Sequence, residues 1–217
     1  MSENIVELIK VGVLETLEMT IAASVLAYVI GLPYGVLLSV TAKGGIIQNK
    51  VVHSVLAFIA NIFRSIPFLI LLVFLIPFTR WIVGESIGTE ATIVPLTVGA
   101  IPIVARMVEQ SLDEVPAGII EAAQSMGASP REIIWHFLLP EAVPSLLSGV
   151  AINTATVLGY SAMAGCIGGG GLGTIALNYG YYRYQTDILL VTILILIVIV
   201  QVIQESGTWI SKKKRHS

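Results

Sequence analysis

Long apolar stretches alternate with short polar ones along the whole 217-residue chain. A helix needs about 20 apolar residues to cross roughly 30 Å of hydrocarbon. On that measure the pattern predicts five spans, at about 19–40, 65–79, 91–105, 140–164 and 188–209. An acidic, amphipathic lead-in with Glu3, Glu7, Glu15 and Glu18 precedes the first. An apolar approach from Val51 to Phe63, ending at Arg64, precedes the second. The third, Ala91 to Ala105, is short for a span, whereas the fifth is almost pure Ile, Leu and Val. The segment 106–139 is the most polar part of the chain and has room for two short helices. Pro116 can start the first of these and Gly127 can stop it, while Ser129 and Pro130 read as an N-cap and a restart. The predicted fold is an all-α integral membrane protein, with five transmembrane helices and a helical hairpin in a single domain, 1–217.

Composition agrees with that reading. The chain is 55% hydrophobic and 12% charged, with a mean hydropathy of +0.88, and soluble domains carry about twice that charge. The net charge of −2 gives no electrostatic case for a nucleic-acid partner. Lys and Arg placement predicts the orientation. With the N-terminus outside and the C-terminus cytoplasmic, the inner segments hold Lys43, Lys50, Arg64, Arg106, Arg131 and the run Lys212 to Arg215. The outer segments then hold only Lys10, Arg80 and Arg183. The first residues are acidic where a cleaved signal needs a basic region, so the first span is expected to carry the targeting information. Trp81 and Trp209 are expected as interfacial anchors.

Catalytic and cofactor chemistry finds little support. No G-x-x-x-x-G-K-[ST] phosphate loop and no G-x-S-x-G are present. The single cysteine, Cys166, excludes an internal disulfide. His53, His136 and His216 are isolated from each other and from acids at ligand spacing, so neither a metal nor a cofactor is expected. Gly168, Gly170 and Gly173 do satisfy G-x-G-x-x-G, but they follow a predicted span rather than a strand, which argues against a dinucleotide site. They read instead as an irregular outer loop where backbones approach closely. Gly31 and Gly35 form a GxxxG suited to a close helix contact. The predicted span centres carry no Asp, Glu, Lys or Arg. Ion-coupled carriers usually place ionisable groups there, so the energy for any transport should come from another chain.

The polar loop narrows the reading further. It runs Glu121-Ala122-Ala123-Gln124-Ser125-Met126-Gly127, then nine residues, then Phe137-Leu138-Leu139-Pro140. This resembles the EAA loop of the permeases of ATP-binding-cassette importers. Glu121, Ala122, Ala123, Gly127, Leu139 and Pro140 match its pattern, and Phe137 stands where that family usually has Ile. The segments Asn61 to Pro67 and Tyr160 to Gly173, with the near-minimal length, look like the methionine-uptake branch of the family.

The resemblance implies a permease in the bacterial inner membrane that works as a homodimer. It implies two copies of a cytoplasmic ATP-binding subunit, which would hydrolyse the ATP and dock on Glu121–Gly127. An extracytoplasmic solute-binding protein or lipoprotein would deliver a small amino acid, methionine in that branch, by alternating access. Met163, where the fourth span should end, is a candidate gate between two copies; filling a packing gap is its alternative reading. Asn153, Thr154, Thr156, Tyr160 and Ser161 are candidates to line the path. The competing readings are an importer permease for another small solute, an ATP-independent channel, or a membrane scaffold.

Overall fold

The structure is a computed structural model and describes residues 3–215; His216 lies outside them. Ten helices occur along the described chain, with no strand among the described residues. Helix α1 spans Glu3–Thr41. Lys50–Ser65 forms α2, Phe68–Phe74 α3, and Ile76–Val83 α4. Helix α5 is Thr89–Asp113 and α6 is Ala117–Ser125. The short α7, Pro130–Ile133, runs through a π turn into α8, Leu139–Ala164. A 3-10 turn at Gly165–Ile167 leads to α9, Gly171–Ile175, which widens into a second π turn, Ala176–Tyr181. Thr186–Arg215 forms α10.

Four helical stretches are long and apolar enough to cross a membrane, and a fifth if the bent pair α2–α3 is one span. Two of them start earlier than the hydropathy pattern suggests. At 1.5 Å per residue the 39-residue α1 is about 58 Å long, so its acidic lead-in continues the span as one helix. The fourth stretch begins at Pro130, not Pro140. Proline 140 has no N–H to give, and the π turn before it, closed by the Leu139 N–H on the Ile134 carbonyl, carries the helix past it.

Over the predicted span at 65–79 the chain turns a corner and forms two short helices. Helices α2 and α3 meet at 99°. Proline at 67 holds Ile66 in extended backbone, φ −79° and ψ 123°, and ends α2 at Ser65. Pro77 then occupies the first turn of α4.

The core is built around α1 and α5. Buried positions of α5 recur every fourth residue: Leu96, Ala100, Val104, Val108 and Leu112. Helix α1 answers with Met19, Ala23, Ala27, Gly31 and Gly35 at the same interval. A Cβ added at Gly31 would lie 2.7 Å from Val104 Cγ1, and one at Gly35 2.5 Å from the Ala105 carbonyl oxygen. The GxxxG is thus a seat for α5, and the rising numbers on both sides show that the two helices run parallel.

Helix α8 returns antiparallel. Ser145 Oγ donates to Glu114 Oε2 at 2.8 Å, and the Gly149 position abuts Met107. Helix α10 packs on α8, with Ser148 Oγ donating to Ser211 Oγ at 2.8 Å. One end of the bundle therefore carries α6, α7 and Lys212–Lys214. The other end carries the glycine run and the start of α5.

Candidate coupling hairpin and pathway face

The hairpin is fixed by three local devices. Proline 116 stands just ahead of α6 at φ −57°. At the far end the Ala128 N–H donates to the Ala123 carbonyl at 3.1 Å and the Gly127 N–H to the Gln124 carbonyl at 3.0 Å. These two bonds make a Schellman motif, whose turning residue needs a left-handed backbone. Gly127 supplies it with φ +82°, and open space surrounds it. Ser129 then caps α7 through a capping box: its N–H donates to Glu132 Oε2 at 2.8 Å and its Oγ accepts from the Glu132 N–H at 3.4 Å. The Ser129 hydroxyl donates to the same carboxylate at 2.7 Å.

The six residues singled out in this loop have different surroundings. Ala123 is fully buried, so its small size lets α6 lie close on α7 and the π turn that follows it. Leu139 is half-buried and packs against the core, and Pro140 is exposed at the start of α8. Glu121 and Ala122 are exposed. Two further exposed side chains extend this face, Met126 at 72% and Trp135 at 62%. Sequence reasoning passed over both because they fall at unspecified positions of the pattern; their signal was a large apolar residue in a polar loop. Trp135 borders a shallow groove of about 350 Å³ with Arg131, Glu132 and His136.

The second candidate region is one face of α8. Ile152, Thr156, Gly159, Met163 and Cys166 are three or four residues apart and form an open stripe. Met163 is 46% exposed, Gly159 has nothing within 4 Å of an added Cβ, and Cys166 is exposed. Of the residues expected beside Met163, only Thr156 lies on this stripe. Thr154 is half-buried and donates to the Val150 carbonyl at 2.8 Å. Tyr160 is stacked on Phe68, ring centroids 4.3 Å apart and planes 3° from parallel. Asn153 and Ser161 lie in the interior of the chain, at 0% and 1% exposure. They occupy the opposite side of α8, facing the chain's own helices.

The glycine run is more ordered than a loop. A Cβ at Gly165 would fall 2.5 Å from the Thr174 nitrogen, and Gly173 lies against the Ala162 backbone. The Gly171 N–H donates to Glu15 Oε2 at 2.6 Å and the Leu172 N–H to Thr16 Oγ1 at 2.9 Å. Two side chains of α1 therefore take the first free N–H groups of α9, which a phosphate would need. No group of three or more metal-ligating residues occurs among the described residues.

Comparison with known proteins agrees with the EAA-loop resemblance. Residues 19–216 match the family described as binding-protein-dependent transport system inner membrane component. A probable D-methionine transport system permease protein MetI of Vibrio cholerae serotype O1 is 50% identical over 202 residues, 93% of this chain and 90% of that one. The D-methionine transport system permease protein MetI of Escherichia coli K12 is 56% identical over 165 residues, 76% of each chain. Among solved structures, an inward-facing MetNI methionine ABC transporter superposes with a TM-score of 0.97 at 50% identity over 99% of both chains. An amino acid ABC transporter at 20% identity, TM-score 0.79, shares the fold. The all-α architecture, the coupling-loop pattern and these likenesses converge: the chain belongs to the inner membrane permease components of binding-protein-dependent transport systems, among the methionine permeases of ATP-binding-cassette importers.

Proposed function

We propose that this chain forms, as a homodimer, the path by which methionine, including the D-isomer, is imported, and that ATP hydrolysed on two copies of a separate subunit drives it. The observation that carries the reading is the α6 hairpin. It offers Glu121, Ala122 and Met126 to a partner on a short helix pinned at both ends, at the bundle end that also bears Lys212–Lys214. A helix held this way transmits displacement into α5 and α8, which flank it in sequence. The positive-inside rule makes that end cytoplasmic, with the N-terminus outside. The relatives' names supply the solute, and the 1–217 chain acts as a single transmembrane domain.

The open stripe of α8 is the surface on which two copies would enclose the path. Met163 then acts as the gate and Thr156 as a path residue; Tyr160, braced by Phe68, supports that wall. Asn153 and Ser161 hold the wall from behind. A solute-binding protein or lipoprotein would deliver cargo at the glycine-rich end. Each state must be contacted differently by the ATPase for ATP to shift the balance between them.

The test is uptake of labelled methionine by cells deleted for this chain and complemented with wild type or Gly127→Asp. Uptake should return with wild type only, while the variant still reaches the membrane. Unchanged uptake after deletion, in a strain without another methionine carrier, would remove methionine from the reading and leave the permease fold standing.

A further inference from the structure

Four buried polar atoms of the bundle have no hydrogen-bond partner among the described residues, apart from the Thr79 hydroxyl elsewhere: Thr20 Oγ1, Ser24 Oγ, and both Asn153 Oδ1 and Nδ2. All three residues are buried, at 0%, 6% and 0% exposure. Their neighbours show that this is unusual for the chain. The hydroxyls of Thr16, Thr92, Thr97 and Thr192 all fold back on the carbonyl four residues earlier. Those of Thr20 and Ser24 make no such bond.

Helix geometry brings the three together. The Tyr28 hydroxyl is 3.9 Å from a Cβ added at Gly149. One turn from Tyr28 toward the glycine-rich end is Ser24, and one turn from Gly149 in the same direction is Asn153, because α1 and α8 run antiparallel. Thr20 is the next turn of the same α1 ridge. Farther along the same ridge, Thr16 meets the start of α9 at the Leu172 N–H. Asn153 and Ser24 thus share one level of the α1–α8 seam, and Thr20 stands one turn, about 6 Å, along the same α1 ridge, in the middle of apolar helices.

An unpaired amide in such a place is costly, and hydrocarbon offers it nothing. A buried water typically makes about three hydrogen bonds to groups of this kind. We propose that the α1–α8 seam holds an internal water, bound by Asn153, Ser24 and Thr20. The carbonyl of Asn153 accepts one of its protons, the amide donates to its oxygen, and the two hydroxyls complete the shell. The water joins the helix that carries Met163 to α1 through an exchangeable link, independently of which solute passes.

High-resolution imaging of the assembled transporter in lipid nanodiscs tests this directly. A density peak should lie within about 3 Å of Asn153 and of at least one of the two hydroxyls. Asn153→Leu, similar in size and apolar, should lose the peak with α1 and α8 unmoved. Direct bonding of Asn153 to Ser24 or Thr20 with no peak would overturn the proposal. X-ray radiolytic labelling gives a second readout that does not depend on map quality. Oxidation of Tyr28, beside the site, should drop in Asn153→Leu and Ser24→Val; equal labelling in wild type and both variants would count against a bound water.

Discussion

The Glu15 carboxylate accepts the backbone N–H of Gly171 at 2.6 Å, across 156 positions of sequence. Thr16 takes the next N–H, so one turn of α1 terminates α9 from outside. An acid in a largely apolar helix is costly unless its oxygens are used, and here a helix N-terminus uses one. Glu15→Leu should therefore destabilise the purified transporter by about 1.5–3 kcal/mol, the range for a hydrogen bond to a charged group. Glu15→Gln keeps an acceptor and should recover part of that loss. Thermal unfolding in detergent measures both, and an unshifted Glu15→Leu midpoint would contradict the assigned bond.

Two glycines should separate folding from assembly. Gly173 is jammed against Ala162, so Gly173→Ala should lower stability by about 1–3 kcal/mol through overpacking. Gly159 faces open space on the α8 stripe. Gly159→Leu should leave the chain folded and membrane-inserted but disturb pairing of two copies. Size-exclusion chromatography with light scattering distinguishes these outcomes; a stable, normally paired Gly159→Leu would remove this stripe from the proposed dimer face.

Cys166 tests the same face without mutation. It is exposed on the stripe beyond Met163 and is the sole cysteine of the chain. A short bis-maleimide applied to membranes should yield a cross-linked dimer, and Cys166→Ser should abolish it. Monomer alone in the wild type would place the two stripes too far apart.

At Gly127 the expectation concerns backbone alone. An added side chain meets no atom within 4 Å, but φ of +82° strains any L-residue by about 1–2 kcal/mol. Gly127→Asn, which tolerates left-handed backbone better, should retain more methionine uptake than Gly127→Val at equal membrane levels. Equal uptake by the two would show that the Schellman turn does not govern coupling.

Much of this was legible in sequence where local chemistry decides structure. Gly127, Ser129 and Pro130 announced the hairpin because caps and turns depend on residues next to each other. The last span, α10, was visible because its apolar run is unbroken. The length of α1 was hidden by Glu15 and Glu18, which read as an exit from the membrane; Glu15 is satisfied by a partner 156 residues away. The corner at Pro67 lay inside an apolar run whose hydropathy says nothing of direction. At α8 the composition marked Asn153, Thr156 and Ser161 alike as polar residues in a span. Which side each faces depends on where α1 and α5 pack, so only the fold divides the open stripe from the interior.

The seat of α1 on α5 has a consequence for sliding. Moving α1 one turn in one direction would set Ala27 opposite Val104, where even a Cβ on Gly31 comes within 2.7 Å. Moving it the other way would set Ser39 opposite Val108, in place of Gly35. Each step replaces a missing side chain with a real one at a site that has no room for it. The seam is a keyed joint with one notch, and the two parallel helices can travel only as a single piece.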